Sequence, residues 1–124
     1  IVFPIHPRAK KNLETFGLAE KAKAMKNLLL LPPLGYLDFI QLEKKCKFVI
    51  TDSGGLQEET TFLGKPCLTV RENTERPITV QIGTNEIVGM DTEKLTRYAE
   101  QIMNGEWKKG EIPKYWDGKT AERI

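Results

Sequence analysis

Nine consecutive residues, Thr51-Asp52-Ser53-Gly54-Gly55-Leu56-Gln57-Glu58-Glu59, hold the strongest chemical signal in the chain. The β-branched run at 48–51 leads into Ser-Gly-Gly, and a helix-forming stretch follows at once. At the C-terminal edge of a parallel sheet, where ligands bind in such folds, this junction offers unpaired backbone N–H groups. Those groups and the positive helix end attract an anion, and two glycines let a phosphate approach the backbone. The same residues also suit a plain capped turn. Asp52 or Ser53 would then cap the helix, with Glu58 and Glu59 set against its dipole. Spacing alone leaves both readings open. The run is neither a P-loop, which ends in Gly-Lys-Ser/Thr, nor the dinucleotide fingerprint.

Three further groups belong to the same chemistry. Glu59 stands one helical turn after Leu56, where its carboxylate can accept hydrogen bonds from two sugar hydroxyls or simply face water. The polar stretch Arg71-Glu72-Asn73-Thr74-Glu75-Arg76-Pro77 follows the next apolar run, and an arginine there can pair bidentately with phosphate. A surface Arg–Glu network is the plainer reading. Upstream, Tyr36 and Phe39 offer a platform for a flat ring, although an aromatic on an amphipathic helix is more often core. His6, the only histidine, sits between Ile5 and Pro7 at the end of the first apolar run. A lone histidine is usually structural; at this position the functional alternative is a phosphate or sugar contact rather than a base. A ring platform, an anion turn and a cation at successive strand ends together suit a nucleoside diphosphate.

The elements that must position these residues follow from periodicity. Strands are expected at 1–5, 26–31, 48–51, 67–70 and 86–88. Helices are expected at 8–16, 35–45, 56–63 and 92–103, with a last one from about 119. Gly64, with Pro66 just beyond, is a helix stop. Continuous rather than alternating apolar strands imply a sheet covered on both faces. Helices between the strands then make this a parallel, doubly wound α/β sheet.

Composition narrows the class. The chain has 124 residues, 40% of them hydrophobic, enough for a core without disulfides or metal. Nineteen basic against 17 acidic side chains give a net charge of +2, too balanced for a nucleic-acid binder or a disordered segment. No apolar run nears the roughly 20 residues of a membrane span. Cys46 and Cys67 with one histidine are too few for a zinc site, and both cysteines read as reduced core thiols of a cytoplasmic protein. A buried-strand pattern already at residue 1, with no initiator Met, is expected of a piece cut from a longer protein.

Taken in order, Pro4-Ile5-His6-Pro7-Arg8, Pro33-Leu34-Gly35-Tyr36-Leu37-Asp38-Phe39, the 51–59 run, Gly64-Lys65-Pro66-Cys67 and the 71–77 loop form a specific succession. It closely resembles the C-terminal half of the non-hydrolysing UDP-N-acetylglucosamine 2-epimerase family. The resemblance covers essentially the whole chain, and Tyr115 to Ile124 look like that family's C-terminus. It implies a GT-B architecture of two Rossmann-like domains, with residues 1–124 as a single UDP-binding domain. The tail, 105–124, would cross back toward an N-terminal domain that is not in this sequence. It also implies interconversion of UDP-N-acetylglucosamine and UDP-N-acetylmannosamine by a homodimer, with no dissociable organic cofactor and no metal.

By the same resemblance, Ser53, Gly54 and Gly55 hold the diphosphate, Glu59 the ribose, and Arg76 lies near the nucleotide. Phe39 and the backbone of Leu34 would form the uracil site. His6 would contact a second, activating UDP-sugar molecule. The catalytic acids and another active-site histidine of the family precede this segment, so no catalytic residue is expected here. A hydrolysing 2-epimerase or another GT-B glycosyltransferase would grip UDP through the same residues. A non-enzymatic anion-binding α/β module is the remaining alternative.

Overall fold

The computed structural model describes residues 1–124, which divide into two compact units, Ile1–Ile40 and Gln41–Ile124. In the first, strand β1 (Val2–Pro4) pairs in parallel with β2 (Leu29–Leu31), Val2 opposite Leu29 and Pro4 opposite Leu31. Between them lie helices α1 (Pro7–Thr15) and α2 (Ala19–Ala24). Helix α1 starts where local chemistry directs it. Pro7 occupies the first turn, and the His6 side chain accepts a hydrogen bond from the Arg8 N–H. It ends at Phe16, after which Gly17 turns left-handed at φ 68°. Ile5 and Ala22 are the buried apolar side chains of this unit.

Helix α3 (Tyr36–Lys45) begins in the first unit and ends in the second. The second unit then alternates β3 (Val49–Thr51), α4 (Gly54–Leu63), β4 (Cys67–Thr69), α5 (Pro77–Gln81), β5 (Asn85–Ile87), α6 (Thr92–Met103) and α7 (Thr120–Arg123). The three strands lie in parallel in the order β3-β4-β5, Val49 opposite Cys67 and Cys67 opposite Asn85. Gly64, at φ 65°, closes α4, and Asp91 caps α6 by accepting from the Lys94 N–H at 2.9 Å. Leu68, Val88 and Ile102 form the core, ringed by Phe48, Val70, Leu95, Tyr98, Ala99 and Trp107. Each such fully buried side chain stabilises by about 1.5–3 kcal/mol. The Trp107 indole meets Tyr98 edge to face and donates to the Thr84 carbonyl at 3.0 Å.

The parallel α/β class is as expected, but the strands form a two-stranded and a three-stranded sheet rather than one. Apolar continuity identifies a strand and does not say which neighbour it pairs with. Nor are all strands covered on both faces. All three residues of β4 are buried, whereas Phe3, Leu29 and Ile50 stand partly in solvent. Two helices have no apolar stripe to betray them. Helix α2, Ala-Glu-Lys-Ala-Lys-Ala, rests on intrinsic propensity, and α5 starts on a proline inside a polar stretch.

After α6 the chain packs back onto this unit. Glu111 N–H donates to the Ile82 carbonyl at 2.7 Å, and the Lys108 ammonium reaches the Val80 carbonyl and the Glu86 carboxylate, each at 2.8 Å. A β-carbon at Gly110 would come within 2.8 Å of Thr84 backbone nitrogen, so only glycine allows this approach.

Candidate functional site

Parallel pairing brings the ends of β3, β4 and β5 to one edge of their sheet. The chain leaves β3 through Thr51, whose Oγ1 accepts from the Ser53 N–H at 3.0 Å and fixes the turn. Ser53 is the N-cap of α4, yet its side chain makes no capping hydrogen bond, and the first turn of α4 contains no acid. The capping alternative is thereby corrected for Ser53, Glu58 and Glu59: the hydroxyl and the first-turn N–H groups remain without an internal partner. Neither Gly54 nor Gly55 has positive φ, and a β-carbon would meet nothing closer than 4.0 Å and 3.9 Å respectively. Folding does not require glycine at either position. What their bareness provides is open approach to a helix N-terminus, the geometry that receives an anion.

The group nearest that missing Gly54 β-carbon is Cγ of Arg76, from the loop after β4. The Arg76 guanidinium is half-exposed and pairs with Glu58, Nε to Oε1 at 3.0 Å. Its loop is built from beneath. Arg76 N–H donates to Thr74 Oγ1 at 2.9 Å, and that hydroxyl donates to Gln57 Oε1 at 2.5 Å. The Asn85 amide donates to Gln57 Oε1 at 3.2 Å and to Thr79 Oγ1 at 3.1 Å, while accepting from Thr69 Oγ1 at 2.7 Å. Thr79 closes the circuit by donating to the Arg76 carbonyl at 2.7 Å. Gln57, Asn85, Thr69 and Thr79 are all essentially fully buried. A satisfied polar web thus replaces an apolar interior under this loop.

Sequence reasoning missed Gln57 and Asn85. The available signal lay in α4 itself, whose middle, Gln57 to Thr61, is polar without a break, so part of that run had to face inward. Its buried residues are Gln57, Thr60 and Thr61, while Phe62 is 54% exposed. Glu43, on the last turn of α3, was missed as well. It is 2% exposed, with neither carboxyl oxygen hydrogen-bonded, and Glu59 is its carboxyl neighbour. Burial first, and the Glu59 carboxyl second, push Glu43 up to about 7. Burial likewise pushes the Cys67 thiol up to about 11, which makes it an inert core group. Cys67 matches the core-thiol expectation. Cys46 is only half-buried, because it follows α3 at the chain's surface.

Ser53, Gly54, Gly55, Glu59 and Arg76 therefore share the second unit, with Arg76 brought against the glycine turn. His6, Leu34 and Phe39 belong to the first. His6 follows β1 and Leu34 follows β2, at one edge of that parallel pair. The exposed His6 imidazole already caps α1 through Nδ1. Phe39 is half-buried on α3. No cluster of three or more His, Cys, Asp or Glu side chains has the arrangement of a metal site. A surface concavity of about 380 Å³ along α6, lined by Thr92, Glu93, Thr96, Arg97 and Glu100, shares no residue with this turn.

The family model for UDP-N-acetylglucosamine 2-epimerase matches residues 1–124. The UDP-N-acetylglucosamine 2-epimerase of Methanocaldococcus jannaschii is 46% identical over 126 residues, covering all of this chain and 33% of its own length. The Methanococcus maripaludis enzyme of the same name is also 46% identical, over 86% of this chain and 30% of its own. The crystal structure of the M. jannaschii enzyme in complex with UDP-GlcNAc and UDP superposes with a TM-score of 0.86, over 100% of this chain and 34% of that one. Its solved neighbours being UDP-GlcNAc 2-epimerases, this chain has the parallel α/β fold of the part of those proteins that it covers. This chain spans about a third of the length of these relatives. With the family model matched from end to end and 46% identity across the whole chain, the protein belongs to the UDP-N-acetylglucosamine 2-epimerase family.

Proposed function

We propose that this chain is the nucleotide-binding part of an epimerase that interconverts UDP-N-acetylglucosamine and UDP-N-acetylmannosamine. The observation that carries the reading is the α4 N-terminus. It is uncapped by Ser53 and bared by two glycines that folding does not require, and Arg76 lies beside it. In this reading the N–H groups of the turn and the Ser53 hydroxyl hold the diphosphate, and Arg76 adds a cation. Glu59 accepts the ribose hydroxyls. Phe39 and the Leu34 backbone receive uracil, and His6 contacts a second UDP-sugar.

The reaction removes the C2 proton, expels UDP to leave 2-acetamidoglucal, then returns UDP to C1 and a proton to the opposite face of C2. Stabilising the departing diphosphate is the part these residues perform. The acid and base belong to an upstream domain of the same chain, in a cytoplasmic homodimer. Proton removal at C2 needs groups within hydrogen-bond reach of the hexose, whereas the acids near this turn surround the nucleotide.

The test is calorimetry with UDP and inorganic pyrophosphate, combined with exchange in deuterated water. The 124-residue chain is expected to bind UDP at on the order of 0.1–1 mM, one wall of a cleft contributing. Glu59→Ala should weaken UDP by about 1.5–3 kcal/mol and leave pyrophosphate nearly untouched. No deuterium should enter C2 of UDP-N-acetylglucosamine. Equal losses for both ligands would remove the ribose role, and deuterium incorporation above a denatured control would place a base within these residues.

A further inference from the structure

Glu43 is the only buried acid in the chain, and nothing neutralises it. Neither of its carboxyl oxygens has a hydrogen-bond partner, and none of the ion pairs in the structure includes it. The titratable groups around it come from three neighbouring segments. Glu59 on α4 lies within hydrogen-bond reach of its carboxyl. Cys46, just past α3, donates its thiol to the Glu43 backbone carbonyl at 3.1 Å. Cys67 is on β4, and Lys65 in the preceding loop turns its ammonium to the Cys46 carbonyl at 3.1 Å. No cation faces the Glu43 carboxyl, so two carboxyls meet with room for one negative charge between them.

We infer that Glu43 is a positioning residue for Glu59: its protonated carboxyl donates a hydrogen bond to the Glu59 carboxylate and holds it toward the ribose hydroxyls. The inference rests on the ribose-binding reading of Glu59 given above. Loss of that one proton sets a buried carboxylate against a partly exposed one, and Glu59 then leaves its bound position. Burial and the Glu59 charge hold Glu43 at about 7, so the change falls near neutrality. A glutamine at 43 keeps the N–H donor and has no proton to lose.

The experiment is UDP calorimetry on wild type, Glu43→Gln and Glu59→Ala between pH 6 and 8.5, with infrared spectra of the same proteins. The wild-type affinity divided by the Glu43→Gln affinity cancels the titration of UDP itself. This ratio should fall roughly tenfold across the range. Wild type at pH 6 should show a protonated-carboxyl band that is absent from Glu43→Gln and shifted in Glu59→Ala. A ratio constant with pH, while Glu59→Ala still weakens UDP, overturns the role of Glu43 alone. Glu59→Ala binding UDP as tightly as wild type overturns the ribose reading, and the positioning role with it. No protonated-carboxyl band in wild type overturns the hydrogen bond itself, whatever the variants do.

Discussion

The Arg76 guanidinium stands 3.0 Å from the carboxylate of Glu58, with its Cγ 4.0 Å from where a Gly54 side chain would begin. The cation that the proposed function assigns to phosphate is therefore paired within the protein. Both side chains are about two-fifths exposed, so solvent screens the pair and its net worth is at most about 1 kcal/mol. On that proposal Glu58 competes with an incoming anion. Glu58→Gln should tighten UDP about two- to fivefold by calorimetry, with a larger gain at low salt. A weaker complex would instead make Glu58 the arm that aims Arg76.

Gly54 gives the sharpest separation of binding from folding. A β-carbon there meets only Arg76 Cγ, at van der Waals distance, and the backbone is not left-handed. Gly54→Val should therefore keep the native circular dichroism and melting within about 1 kcal/mol. The branched side chain occupies the space that a phosphate needs, so UDP binding should vanish. A folded variant that binds UDP as before would move the anion elsewhere.

What could be read from the sequence were features that announce themselves locally. The Ser-Gly-Gly junction, the Gly64 stop and the 92–103 helix each carry their own turn or period signal, and each lies where expected. Helix α4 begins two residues earlier than expected, at Gly54, because the two glycines join its first turn instead of preceding it. Pairing between distant residues left no such mark. Asn85 reaches Gln57 across 28 positions, and Glu43 meets Glu59 from another helix. A polar residue inside a strand or helix looks solvent-facing until its partner is known. The interior polar web under the Arg76 loop was invisible for that reason.

That web makes a stability prediction. Asn85→Val keeps a strand former in β5, but removes the donor to Gln57 and Thr79 and the acceptor for Thr69. Stranded buried polar groups of this kind cost about 2–4 kcal/mol, to be read from urea unfolding. UDP should weaken as well, because Thr74 and Arg76 lose their support. Gln57→Leu should cost a similar amount, and the double variant should fall short of the sum by at least about 1 kcal/mol. Strict additivity would mean that the two amides act separately.

Glu43 also sets how stability depends on pH. Its carboxyl titrates near 4.5 when exposed and at about 7 in the folded chain, so the folded state holds the proton more tightly. The stabilisation is complete below about pH 4.5 and is lost as the pH rises through about 7. The buried Cys67 thiol, pushed up to about 11, titrates well above this window. Wild type should therefore lose on the order of 3 kcal/mol between pH 5 and 8 relative to Glu43→Gln, which has nothing to ionise there. Urea midpoints of both proteins at the two pH values measure the difference directly. At pH 8 the glutamine variant should be the more stable relative to its own pH 5 value. Parallel curves for the two proteins would mean that Glu43 is charged in the fold at neutral pH, held by a partner other than Glu59.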